Sequence, residues 1–202
     1  MSMSAKVVYS VHEYCLDVDE TTPWFHDPTY PENLVPRWDF YFGFIFHQEI
    51  APIWIGEYGT AFKYDKDYSW IDRWVNYTNG YFSTDGLNHL PEGHQGLSWT
   101  FWAVSPGGDV GGILKSDWLT VEEEKLFYIR RAMAPLISYE TREHLEEPPA
   151  NTTWLYPKPT LSPTTIKRPF EYYHTEGSQI IDSKGNAIRW TGINWSTKFS
   201  NE

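Results

Sequence analysis

Ile53-Trp54-Ile55-Gly56-Glu57-Tyr58-Gly59-Thr60 is the stretch on which the reading of this chain turns. Three large apolar residues, two of them β-branched, read as a short buried strand. That strand ends on a glutamate set among glycines, and such small neighbours let a ligand come close to the carboxylate. A carboxylate so placed suits attack on the anomeric carbon of a sugar, the step that forms a glycosyl-enzyme. The structural alternative for Glu57 is a helix cap or a partner for a lysine.

On either side lie two units of similar plan. Lys6 to Val11 is β-branched and aromatic and reads as a strand. A long loop rich in Asp, Pro and Trp follows to about Pro36, then an aromatic helix from Trp38 to Ile50. After the Glu57 strand the pattern predicts a helix from Tyr68 to Phe82, with Trp70, Trp74 and Tyr81 on one face beside Ile71, Val75 and Phe82. A third strand spans Leu97 to Val104. Its helix starts from Thr120 as N-cap with Glu123 three residues on, buries Leu126, Ile129 and Met133, and stops at Pro135.

Strand, long loop and helix, three times over, predict parallel strands with right-handed crossovers. His12, Glu57 and Trp102 fall at the strand ends at intervals of 45 residues. That is the end at which a (β/α)8 barrel keeps its chemistry. An open doubly wound sheet also binds ligands there, but no glycine-rich phosphate loop accompanies these strands, and the barrel is favoured.

His12 and Tyr14 sit two apart, so both lean toward one pocket. A tyrosine hydroxyl there would hydrogen-bond the carboxylate and keep it ionised, and a histidine would orient the tyrosine or bind a sugar hydroxyl. In a regular strand Trp99 and Trp102 take opposite faces, so only one of them floors the site. The loop Gly107-Gly108-Asp109-Val110-Gly111-Gly112 has no lysine or strand-to-helix context for a phosphate cradle.

Composition narrows the partners. A net charge of −11 argues against nucleic acid and anionic membranes, which call for basic clusters. Eleven Trp, 14 Tyr and 11 Phe fill a core, with some left over to stack on sugar rings. No run reaches the ~18–20 apolar residues of a membrane span, and Met1 to Ser10 lacks the layout of a secretory signal. Cys15, the single cysteine, forms no internal disulfide and excludes a thiolate cluster. Sequons begin at Asn76, Asn151 and Asn194, and carry little weight.

From about Ser138 to His174, six prolines among Thr, Ser and Glu read as an extended linker over 138–174. Gln179 to Asp182 and Ala187 to Arg189 then flank turn residues as a hairpin, and a last strand runs from Trp190 to Trp195.

Taken together these motifs resemble glycoside hydrolase family 5, the cellulase family, and are most similar to bacterial-type endo-β-1,4-glucanases. Val8-Tyr9-Ser10-Val11-His12-Glu13-Tyr14 looks like the sixth barrel strand, Ile53 to Thr60 the seventh, and Leu97 to Leu114 the eighth, continuing through Lys115-Ser116-Asp117-Trp118. The resemblance covers residues 6 to 137. It implies a retaining enzyme with Glu57 as nucleophile, His12 and Tyr14 around it, and Trp102 as the platform beneath the sugar. It also implies a β-glucan partner, no metal or organic cofactor, and an extracellular setting.

Tyr173-His174-Thr175 and Ile180 to Trp195 resemble the amino-terminal hairpin and first strand of the same family, although here they follow the eighth. The resemblance finds no counterpart of strands two to five or of the Asn-Glu pair that supplies the acid/base. Asn201-Glu202 follows a first-strand segment and is no substitute. A whole barrel needs ~250 residues, more than this sequence provides. The expectation is therefore residues 1–137 as the end of one barrel, the linker, and 175–202 as the start of a second or of a permuted one, within a longer chain. The Pro/Thr linker favours tandem barrels. Two other readings stand beside this one, a glucan-binding barrel remnant that does not cut and an incomplete gene product with no role of its own.

Overall fold

The computed structural model describes residues 7–134 and 173–195. The chain divides into one unit of Met1–Ala134 with Tyr173–Glu202 and another of Pro135–Tyr172. The second unit, and with it the expected linker, Asn151 and the Pro135 stop, lies outside the described residues, as do Lys6 and Asn201-Glu202.

Four parallel strands form the main sheet in the order β1 (Tyr9–Tyr14), β2 (Ile53–Gly59), β3 (Ser98–Phe101), β7 (Thr191–Ile193). The expected three strands are thus joined by a fourth from far along the sequence. β7 pairs Thr191, Gly192 and Ile193 with Trp99, Thr100 and Phe101. Arg189 fixes its approach, donating to the Leu97 carbonyl at 2.6 Å and to Asn79 Oδ1 at 2.7 Å. A separate antiparallel sheet of β4 (His174–Glu176), β5 (Gln179–Ile181) and β6 (Ala187–Ile188) precedes it. The expected hairpin is therefore β5–β6. His174, placed at the end of the linker from its sequence, instead opens β4 against Ile181.

In β2 an extra residue, Gly56, breaks the alternation opposite the step from Val11 to His12, so Ile53, Ile55 and Tyr58 are buried while Trp54, Gly56 and Glu57 stay half-buried. The core lies between the strands and the helices and is largely aromatic. Trp38, Trp70, Trp74, Tyr77, Tyr58 and Trp99 are all buried. Trp38 meets Trp74 edge-on at 4.9 Å, and Tyr58 meets Trp99 edge-on at 5.4 Å. Such contacts add ~0.5–1.5 kcal/mol beyond the area they bury.

Several sequence boundaries are corrected. β1 runs three residues further than expected, because pairing with β2 continues past a one-residue slip between Val11 and His12. The first helix begins at Leu34 instead of Trp38. Its segments are α1 (Leu34–Trp38), a π turn (Asp39–Gly43) and α2 (Phe44–His47). Pro36 sits in its first turn, where the missing N–H costs no bond, so a proline there does not mark a loop.

α3 spans Asp65–Thr78 and not Tyr68–Phe82. Asp67 accepts the Tyr64 backbone N–H at 2.9 Å, which starts the helix early. Gly80, at φ +99°, ends it, so Tyr81 and Phe82 lie beyond it and only partly buried, while Tyr77 takes the inner position.

α4 is Glu123–Ala132 with Glu122, not Thr120, at its N-cap. Thr120 is taken up by Asp117, which accepts its backbone N–H at 2.8 Å and also its hydroxyl. The buried positions of α4 are Lys125, Ile129 and Ala132; Leu126 is intermediate and Met133 is 47% exposed. Strand β3 is shorter than expected at both ends, and so is β7.

Candidate active site

Parallel pairing sets the site. The extra residue in β2, Gly56, sets His12 opposite Glu57 and Tyr14 opposite Gly59, at the carboxyl ends of adjacent strands. The Tyr14 hydroxyl donates to Glu57 Oε2 at 2.7 Å, and His12 Nδ1 lies 3.3 Å from the same oxygen. One carboxylate oxygen thus faces both neighbours. The Glu57 side chain is 27% exposed and that of His12 54%, so solvent and ligand have access. Burial, then the hydrogen bond to Glu57 and its charge, pushes the Tyr14 hydroxyl well above its ordinary range. The phenol keeps its proton and remains a donor to the carboxylate.

The backbone just before Glu57 is held from the opposite side. The Gly56 carbonyl accepts from Thr100 Oγ1 at 2.6 Å and from Asn194 Nδ2 at 2.9 Å. Trp54 Nε1 in turn reaches Thr100 Oγ1 at 3.3 Å. Gly56 is required by space, since a Cβ there would stand 2.6 Å from Ser10 Oγ and 2.9 Å from His12 Nε2.

Trp102 joins this group through its backbone, with its N–H donating to the Tyr58 carbonyl at 2.8 Å. Its own carbonyl packs on Gly59, where a Cβ would meet it at 2.7 Å. Trp102 is partly exposed, whereas Trp99 is buried on the helix side with its indole N–H on the Ala132 carbonyl at 2.9 Å. Of the four residues singled out from sequence, the fold thus brings Glu57, Tyr14 and His12 into direct contact and sets Trp102 on the neighbouring strand end.

Thr100, Asn194 and Glu13 escaped the sequence reading. Thr100 was accessible to it, because period-two alternation opposes it to the buried Trp99. Asn194 carried no signal, since its role depends on pairing a distant strand. Glu13 points away from His12 and Tyr14 and accepts the Trp38 indole N–H at 2.9 Å. Burial pushes its carboxyl up to about 7 against the pull of the Trp38 indole bond and of Arg37.

Parallel strands with crossover helices, and a solvent-reached carboxylate at their carboxyl ends, define part of a (β/α)8 barrel. The model for the family Cellulase (glycosyl hydrolase family 5) matches residues 2–108. The chain belongs to that family. An endoglucanase from Paenibacillus polymyxa is 37% identical over 135 residues, which are 66% of this chain and 30% of that protein. A major extracellular endoglucanase from Xanthomonas campestris pv. campestris is 30% identical over 128 residues, 62% of this chain and 23% of its own length. Among solved structures, an endocellulase from Pyrococcus horikoshii in complex with cellotetraose superposes with a TM-score of 0.52 at 28% identity. That match covers 63% of this chain and 31% of the other. The chain therefore spans less than a third of the length of these relatives.

Proposed function

We propose that this chain carries the nucleophile side of a retaining endo-β-1,4-glucanase site. Glu57 attacks the anomeric carbon of a β-glucan and the glycosidic bond breaks as the glycosyl-enzyme ester forms. Tyr14 and His12 hold the attacking carboxylate, and Trp102 lies beneath the sugar ring. The observation that carries this reading is the Tyr14–Glu57 hydrogen bond of 2.7 Å at the mouth of the parallel strands.

Retention requires a second carboxyl ~5–5.5 Å from the first, to protonate the leaving oxygen and then activate water. In this reading that acid/base comes from the barrel units that the family's longer members carry and this chain's motifs do not match. Without it the loss is ~10²–10⁴-fold. The arrangement proposed is residues 1–137 as the closing units of a barrel, 138–174 as a linker and 175–202 as first-strand sequence. The pairing of β7 with β3 favours a strand that closes this same sheet, as a permuted barrel would have it. An extracellular setting belongs to the same reading and is supported by the relative named a major extracellular endoglucanase.

The test is intact mass after incubation with an activated 2-deoxy-2-fluoro-cellobioside, followed by peptide mapping. Such a reagent needs the nucleophile and little acid assistance. A single adduct on Glu57, absent from Glu57→Gln, is expected. An adduct on another carboxylate, or none on soluble folded protein, overturns the assignment.

A further inference from the structure

Behind the site, where β1 runs into the following loop, Cys15, Asp17 and Asp67 bring one ligand atom each to within 4.8 Å of one another. All three are buried, at 2%, 5% and 0% exposure. Cys15 Sγ lies 2.6 Å from Asp17 Oδ1, closer than a thiol donor normally comes to oxygen. Asp17 Oδ2 is held by the Thr60 hydroxyl at 3.1 Å and by the Ala61 N–H, so its carboxylate is fixed in direction. Asp67 Oδ2 accepts the Tyr64 N–H, but its Oδ1 is buried with no hydrogen-bond partner. An orphaned carboxylate oxygen in the core is costly unless something meets it.

We propose that Cys15, Asp17 and Asp67 form a structural binding site for a divalent cation of borderline softness, zinc above all. One thiolate with two carboxylate oxygens suits zinc, with S and O ligands at ~2.3 and ~2.0–2.2 Å. The S···O separations of a tetrahedral site exceed the 2.6 Å between Cys15 and Asp17 and fit within the 4.8 Å that encloses all three atoms, so small side-chain movements close it. Charge supports the same reading. Lys125, 6% exposed, puts its ammonium nearby, on the Val110 carbonyl. Three anionic ligands, that ammonium and a dication sum to zero in a volume closed to solvent. A single cysteine rules out a thiolate cluster but not this mixed set. The ion would tie the end of β1 to the start of α3, two elements that meet beside Tyr14. It would do so without entering the chemistry, and the inference stands independently of the role proposed for Glu57.

The purified chain, loaded with zinc and freed of excess metal, should retain one zinc per chain by elemental mass spectrometry. Cobalt(II) should give a thiolate-to-cobalt charge-transfer band in the same protein, a readout that needs no variant. Cys15→Ala and Asp67→Asn should each weaken retention at least tenfold, while Glu92→Gln, on the surface, leaves it unchanged. Melting temperature should rise with zinc for the unaltered chain and for Glu92→Gln, but not for Cys15→Ala or Asp67→Asn. Substoichiometric zinc with no cobalt–thiolate band overturns the proposal. So does zinc retained undiminished in Cys15→Ala, which would place the metal on surface pairs such as His89–Asp85.

Discussion

The two faces of the sheet are built on opposite terms. The helix-facing side of β2 and β3 offers Ile53, Ile55, Tyr58, Trp99 and Phe101, all buried among the tryptophans of the helices. The mouth side offers His12, Tyr14, Gly56, Glu57, Thr100 and Asn194, half-open and joined by hydrogen bonds. One face is held by area and shape. The other spends little on stability and fixes the direction of one carboxylate. Stability and the proposed chemistry are therefore separable here, and substitutions can set them against each other.

The largest effect is expected from Trp74→Ala. Trp74 is fully buried and packs on Trp38, Trp70, Tyr77 and Tyr58. Removing it should cost ~3–5 kcal/mol, read by chemical denaturation, and a loss below ~1 kcal/mol would show that this core is not close-packed. Next is Glu13, which lies on the helix side of β1 although its neighbours serve the mouth. Burial raises its folded pKa to about 7, from about 4.5 for an exposed glutamate. The unfolded chain therefore gives up that proton first, and stability falls as pH rises from about 4.5 through 7. The loss levels off near ~3 kcal/mol. Glu13→Gln should abolish that slope between pH 4.5 and 8, and an unchanged slope would assign it to other groups.

A smaller effect is expected where the faces meet. Gly59→Ala would push a methyl against the Trp102 carbonyl and Val110, costing ~1–3 kcal/mol by overpacking. The near-ultraviolet circular dichroism of the tryptophans should change with it. The smallest stability change belongs to Tyr14→Phe, which removes one part-exposed hydrogen bond worth ~0.5–1.5 kcal/mol. Its melting midpoint should barely move while the rate of adduct formation at Glu57 falls at least tenfold. A large drop in stability with unchanged labelling would reverse the roles of the two faces.

The sequence showed most of what the strands supply and little of what pairing supplies. Ile53 to Ile55 and Leu97 to Phe101 announced themselves by apolar runs, and Gly56-Glu57 marked a strand end that a ligand could reach. Spacing put His12 and Tyr14 on one side of their strand, but their contact with Glu57 depends on an extra residue in β2 that no local pattern encodes. Helix starts were misread where polar side chains chose other partners. Thr120 bonds Asp117 and leaves the N-cap of α4 to Glu122, and Asp67 starts α3 early by accepting the Tyr64 N–H. Asn194 illustrates the limit, because its value at the Gly56 carbonyl exists only after β7 has docked 138 residues away.

That distance has a kinetic consequence. β1 meets β2 across 44 residues, Tyr9 to Ile53, whereas Trp99 meets Thr191 across 92. Loop-closure entropy grows only as the logarithm of length, so this doubling adds ~0.6 kcal/mol. Non-local pairings nevertheless slow folding, since their entropy is lost before their contacts form. β7 should therefore dock last, onto a sheet already assembled from β1, β2 and β3. In that late step Trp190 arrives beside Trp54, at 5.3 Å between ring centroids. The protein thus carries its own fluorescent clock for the moment at which the grip on the Gly56 carbonyl is completed.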